Sequence, residues 1–257
     1  MSLIGLFSPS GKSGFGYSST AEAVTSGLDL SGKTYLITGC NSGLGLESAR
    51  VLALRGARIF GTARTQEKSA QALAPLGSNH KGFACDLANP SSIRSCITAL
   101  QREEGRLDGI LANAGIMALP ALEKASGYEL QFFTNHVGHF LFVTGILEKL
   151  QGQGRVVVVS SAAHTMAPAG GIDFANLSGD RGYSPWTAYG QSKMANILFA
   201  KELARRFQGT GRVSVSLHPG VIQTNLGRHM PAVARVAFGI VGPIFQKSIP
   251  EGAATQC

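Results

Sequence analysis

The chain has 257 residues, 44% of them hydrophobic, enough for one large domain with a substantial core. Its formal net charge is +8, yet the basic residues are scattered and Arg205-Arg206 is their only adjacent pair, so a nucleic-acid surface is not expected. No uninterrupted apolar run reaches the roughly 18 residues of a membrane-spanning helix.

The N-terminal apolar patch, Leu3 to Phe7, has no basic residue before it and does not read as a secretory signal. Its Ser/Gly content, with no acid before Glu22, leaves organelle targeting as a lesser alternative. The four cysteines, Cys40, Cys85, Cys96 and Cys257, show neither C-x-x-C spacing nor a histidine cluster. Reduced thiols, a cytoplasmic location and no metal site are the expectation.

Residues 1–28 read as a partly ordered leader, weakly helical from Ala21 to Thr25, that packs on a domain spanning 29–257. Lys33 to Thr38 reads as a strand, followed by a glycine-bearing turn and a helix over Leu44 to Arg55. Further strands are expected over Arg58–Ala63, Gly82–Cys85, Leu107–Ala112, Arg155–Ser160 and Arg212–Leu217. Between them lie helical patterns over Lys68–Leu76, over Ser91–Glu104 with Ser91 or Ser92 as N-cap, over Ser126–Leu150, and over the Tyr189 segment. The run Val156-Val157-Val158-Val159 suits a strand buried on both faces. Regular alternation of this kind predicts an α/β fold: a Rossmann-type doubly wound parallel sheet flanked by helices, in one domain.

The first turn reads Thr38-Gly39-Cys40-Asn41-Ser42-Gly43-Leu44-Gly45. Glycines let backbone turn sharply and approach a pyrophosphate, and the helix that follows offers unpaired N–H groups and a positive dipole end. The second strand ends Gly61-Thr62-Ala63-Arg64, with no acid for a ribose 2′-hydroxyl. Arg64 suits a 2′-phosphate, so NADP(H) is favoured over NAD(H). Asp86 and Leu87 end the third strand, and Asn113, Ala114 and Gly115 end the fourth, where open sheets bind ligands. Asp86 is a candidate acceptor for an adenine amino group. Asn113 is a candidate both for joining neighbouring strands and for touching cofactor.

Tyr189 and Lys193 stand four apart on a helix and share a face. A free tyrosine has a pKa of about 10, and a lysine cation within reach is expected to lower it toward working pH.

With these residues in order, the chain resembles the short-chain dehydrogenase/reductases from about Asp29 to its end. The resemblance rests on TGCNSGLG at 38–45, Asp86-Leu87, NAG at 113–115, Asn135, Ser160-Ser161, Tyr189 with Lys193, and HPGVIQT at 218–224. The stretches TAEAVTSGLDLSGKTYLITG, FFTNHVGHFLF and YGQSKMANILFAKELA look most like the retinol dehydrogenase and WW-domain oxidoreductase branch, here without a preceding WW domain. The resemblance implies that Ser161 is the catalytic serine, Tyr189 the acid/base, Lys193 the ribose-binding lysine and Asn135 the fourth member, a candidate to hold a relay water. It implies a pyrophosphate loop at Gly39, Ser42, Leu44 and Gly45. It places Pro219, Gly220, Ile222 and Thr224 around the nicotinamide.

The expected activity is hydride exchange with an alcohol or carbonyl. An apolar segment from Met230 to Phe245, where relatives carry a substrate lid, points to an apolar substrate, with peripheral membrane contact or plain core as alternatives. Helical stretches 126–150 and 187–207 are the candidate faces for a homodimer. A silent cofactor-binding sensor or scaffold, and a different chemistry on the same scaffold, are the competing readings. No final sheet strand is evident after Glu251, where a helix begins. His136 and His139 read as packed helix residues, His164 as a candidate substrate contact, and Trp186 and Phe174 as pocket wall or packing. Cys40 sits within the phosphate turn, where a bulky adduct would slow the enzyme, but no role follows for it.

Overall fold

A computed structural model of the protein describes residues 10–222 and 246–257. Six strands form one parallel sheet: β1 Thr34–Thr38, β2 Arg58–Ala63, β3 Lys81–Ala84, β4 Leu107–Ala112, β5 Leu150–Val159 and β6 Val213–Leu217. Their order is β3-β2-β1-β4-β5-β6. The winding reverses between β1 and β4, and the crevice at that point lies outside the carboxyl ends of the strands. Five of the six strands lie within one residue of the expected positions, and β5 starts earlier. Among the described residues no further strand joins this sheet.

The strands have apolar side chains on both faces because helices cover both. Leu36, Phe60, Ile110 and Val156 share one core cluster with Phe142 and Phe199. Their neighbours Ile37, Ile59 and Leu111 join the other, with Ala49 and Leu52. Alternation at a period of two therefore feeds two cores from one sheet. The helices are α1 Ala21–Val24, α2 Gly43–Leu54, α3 Gln66–Leu73, α4 Pro90–Gln101, α5 Gly138–Ile146, α6 Pro185–Arg206 and α7 Ile249–Ala253.

Three expectations need correction. The long helix over Ser126–Leu150 is interrupted. Ser126 (φ 51°) and Gly127 (φ 84°) turn a short antiparallel hairpin between Lys124–Ala125 and Tyr128–Glu129. A helical turn at Leu130–Phe132 then passes through a π turn at Phe133–Val137 before α5 begins. The N-cap of α4 is Asn89, whose Oδ1 accepts from the backbone of Ser91 and Ser92; Pro90 occupies the first helical position. Strand β5 starts at Leu150, five residues before the expected Arg155.

Residues around α1 pack against α2 and α7. Thr20 caps α1, and the fully buried Ala21 joins Leu44, Val51 and Ala253 in a third cluster. Arg50 bonds Glu22 and Glu47, and Arg55 bonds the Glu22 carbonyl, so α1 is tied to α2. At the other end, Ser248 and Glu251 form a reciprocal capping box that starts α7.

Candidate active site

The turn between β1 and α2 is built on backbone that only glycine adopts easily. Gly39 and Gly43 have φ of 69° and 56°. Gly45 lies so close to the turn that a Cβ there would stand 2.3 Å from the Gly39 carbonyl oxygen. Ser42 is the N-cap of α2, yet its side chain accepts nothing from the helix amides. The hydroxyl of Ser42 and the first-turn N–H groups are therefore available to an anion, with Asn41 beside them. A nicotinamide dinucleotide fits this turn through its pyrophosphate. Arg64 is exposed immediately after β2.

Next to this turn, one threonine ties together the ends of β1 and β4. The Thr38 Oγ1 accepts from the amides of Asn113 (2.9 Å) and Ala114 (3.0 Å). The Asn113 side-chain amide donates to the Thr38 carbonyl at 2.9 Å, so this residue does join neighbouring strands. Gly115 follows, and a Cβ there would lie 3.1 Å from Asn135 Oδ1 and 3.7 Å from Lys193 Nζ. Asn135 is fully buried in the π turn. Its Oδ1 accepts from the Ile116 amide, and its Nδ2 donates to the Ile116 carbonyl and to Ser192 Oγ. Both amide hydrogens are engaged, so the geometry is a clamp between the β4 loop and α6 rather than a free group holding water. Asp86 caps its own loop: Oδ1 accepts from the Ala88 amide, with Leu87 buried between them.

Ser161, Tyr189 and Lys193 converge beyond β5. The Tyr189 hydroxyl faces Ser161, which opposes the effect of burial on the phenol, and the Lys193 Nζ lies 5.5 Å from the centre of the phenol ring. Lys193 donates to the Val159 carbonyl at 3.1 Å, as does Asn196 Nδ2. Ser160 faces the other way and bonds the Lys193 carbonyl, leaving Ser161 as the serine in the cluster. The lysine does not lower the tyrosine pKa here. Burial pushes the phenol up to about 12, opposed only by the neighbouring Ser161, and pulls the Lys193 ammonium down to about 8. The two residues share a face as expected, but desolvation decides their protonation.

Residues 33–233 match the family model for short chain dehydrogenase. The chain is 39% identical over 261 residues to "Short-chain dehydrogenase TIC 32 B, chloroplastic" of Brassica napus, covering 96% of this chain and 81% of that one. It is 40% identical over 243 residues to "Retinol dehydrogenase 14" of Mus musculus, covering 87% and 72%. The chain belongs to the short-chain dehydrogenase family. Among solved structures, this short-chain dehydrogenase superposes on one from Burkholderia cenocepacia J2315, solved in complex with NADP. The TM-score is 0.70 at 23% identity, covering 88% and 89% of the two chains. With curated relatives named retinol dehydrogenases at about 40% identity, it sits in the retinol dehydrogenase branch.

Other site residues of this short-chain dehydrogenase are placed as follows. Gly220 (φ 100°) rests on the Lys247 side chain, and Ile222 bridges to Lys247. Pro219 lies between β6 and that bridge. Thr224 and the apolar stretch from Met230 to Phe245 lie outside the described residues, as does the Leu3 to Phe7 patch. His164 is part of a local turn, its Nδ1–H donating to the Ser161 carbonyl at 2.8 Å. Trp186 meets Tyr189 edge-on with ring centres 6.2 Å apart, whereas Phe174 is 80% exposed and packs on little. Cys40 is fully buried against Gly61, and burial raises its thiol to about 12, which makes it a poor target for alkylation. Thr38, Ser192 and Gln131 were not singled out by sequence. Gln131 bonds the Ala118 amide, Glu129, Tyr183 and the Pro185 carbonyl, fixing the loop that leads into α6.

Two buried histidines give a pH prediction. His136 and His139 are both held near 4 by burial, against an ordinary 6.5. Between those values the unfolded chain binds more protons than the folded one, so stability falls as pH drops through that window. Each ring is expected to cost on the order of 3 kcal/mol between pH 7 and 4. Urea unfolding across this range measures the loss. A flat profile would show that neither ring is neutral and buried in solution.

Proposed function

We propose that the protein is an NADP(H)-dependent oxidoreductase that exchanges a hydride between the nicotinamide and the alcohol or carbonyl carbon of a small apolar substrate. One observation carries this reading: the Tyr189 phenol faces Ser161 and lies under the Lys193 ammonium, whose Nζ would stand 3.7 Å from a Cβ on Gly115, just past the end of β4. The names of the retinol dehydrogenase relatives favour an apolar substrate.

In this reading the turn residues Gly39, Asn41, Ser42, Gly43, Leu44 and Gly45 hold the pyrophosphate and Arg64 the 2′-phosphate. Asp86 and Leu87 border the adenine, and Asn113, Ala114 and Gly115 the ribose side. Pro219, Gly220, Ile222 and Thr224 flank the nicotinamide. When bound, that ring supplies or takes the hydride. Ser161 polarises the substrate carbonyl by donating to its oxygen, and Tyr189 delivers the proton that oxygen needs. A phenol kept protonated by burial suits the reductive direction. Lys193, with its pKa near 8, is mostly cationic at neutral pH and binds the nicotinamide ribose. Asn135 holds the β4 loop against α6 so that these groups keep their spacing.

The cofactor part is tested by titrating NADPH and NADH into the wild type and Arg64→Glu. The wild type is expected to bind NADPH more tightly. The substitution exchanges a charge-assisted phosphate bond for repulsion and is expected to raise the NADPH Kd by about 10- to 100-fold, with NADH little affected. An unchanged NADPH Kd in Arg64→Glu would overturn the assignment of Arg64.

A further inference from the structure

His139 is fully buried on the first turn of α5, and both of its ring nitrogens are engaged. Nδ1 lies 2.9 Å from the Asn135 backbone carbonyl, and Nε2 lies 2.8 Å from Thr38 Oγ1. A carbonyl only accepts, so Nδ1 must carry the proton. A neutral ring then leaves Nε2 as an acceptor, and the Thr38 hydroxyl must donate to it. Burial keeps the ring neutral, with its pKa near 4; the charged and titratable groups facing it are Lys193 and His136. With its one hydrogen committed to His139, Thr38 Oγ1 turns both lone pairs to the amides of Asn113 and Ala114. The competing Leu111 carbonyl is farther off at 3.4 Å.

This closes a continuous hydrogen-bonded path. It runs from Thr38, which precedes the glycine turn, through His139 to Asn135, then through Ser192 Oγ to the Tyr189 carbonyl. Each hydrogen along the path has an acceptor within hydrogen-bond distance. The π turn at Phe133–Val137 makes the path possible, because it displaces Asn135 and its carbonyl from regular helical geometry. A buried network whose members are all satisfied fixes one arrangement and penalises the alternatives.

We infer that His139 is a positioning residue, which in its neutral Nδ1–H form locks the Thr38 hydroxyl and so couples the nucleotide turn to the helix carrying Tyr189. The inference rests on the proposed cofactor site for its functional readout, but its chemical content is separate. It assigns a tautomer to one imidazole and predicts an energetic coupling to one threonine.

The first measurement uses the wild-type protein with ¹⁵N-labelled histidine. The ring nitrogens of His139 are expected to report a neutral, Nδ1-protonated imidazole at pH 7. An Nε2–H or cationic ring overturns the inference whatever the protein binds. The second is a double-mutant cycle on NADPH affinity with His139→Phe and Thr38→Val. Each single change is expected to raise the Kd by about tenfold, with kcat falling less than affinity. The double variant is expected to bind no worse than the weaker single, because one shared bond is lost in all three. Losses that multiply in the double variant, or a wild-type Kd in His139→Phe, overturn the coupling. Failure of the wild type to bind either nicotinamide cofactor would reject the cofactor site and leave the tautomer result to decide the His139 assignment.

Discussion

Tyr189→Phe is expected to reduce turnover by about 10²- to 10⁴-fold while leaving the NADPH Kd within about twofold of wild type. The substitution removes one atom from a side chain that is only 6% exposed. The ring survives, and with it the edge-on packing against Trp186 and the cation over its face. Ser161 keeps its bond from the Ala163 amide, so the serine does not lose its local anchor. What disappears is the phenol hydroxyl that faces Ser161 and is assigned to pass a proton to a bound oxygen. Steady-state oxidation of NADPH with apolar aldehydes measures the first quantity, and cofactor fluorescence the second. Retained turnover would move the proton-transfer role elsewhere.

Gly45→Ala is expected to weaken NADPH binding by about 10- to 100-fold and to destabilise the fold by about 1–3 kcal/mol. A Cβ at this position would stand 2.3 Å from the Gly39 carbonyl oxygen and 2.6 Å from the Asn113 amide nitrogen. The first is backbone and cannot rotate away. Relief requires α2 to move off the turn, which withdraws its N-terminal amides from the phosphate. Gly27 provides the contrast, because a Cβ there meets nothing within 4 Å. Its positive φ of 79° still makes Gly27→Ala a mild stability change, with no reach into the nucleotide turn. Isothermal titration of both variants separates the two effects. Wild-type affinity in Gly45→Ala would mean that the turn does not hold the pyrophosphate.

The sheet was legible because its strands are short apolar runs between turn signals, and Val156 to Val159 shows this most plainly. The glycine turn was legible because its residues have few other uses at the end of a first strand. The Tyr189–Lys193 pair was legible as a spacing, and helical geometry does bring the two together. Its electrostatics were not, because sequence does not report burial. Tyr189 is 6% exposed, and its own desolvation raises the phenol to about 12. The break in the helix over 126–150 was hidden by apolar residues that continue a helical pattern across it. The Ser126-Gly127 pair carried the turn signal. Thr38, His139 and Ser192 could not be connected from sequence, since the Thr38–His139 bond spans 101 residues and the Asn135–Ser192 bond spans 57.

The most direct measurement is hydride transfer itself. Wild-type protein is mixed with NADPH deuterated at the reactive C4 position and an apolar aldehyde, and the product alcohol is examined by mass spectrometry. The account predicts one deuterium on the carbinol carbon, formed in step with NADPH oxidation and absent with Tyr189→Phe. Protein that binds NADPH tightly yet transfers no deuterium to any of a panel of apolar aldehydes and ketones would contradict it, and would leave a cofactor-binding protein without this chemistry.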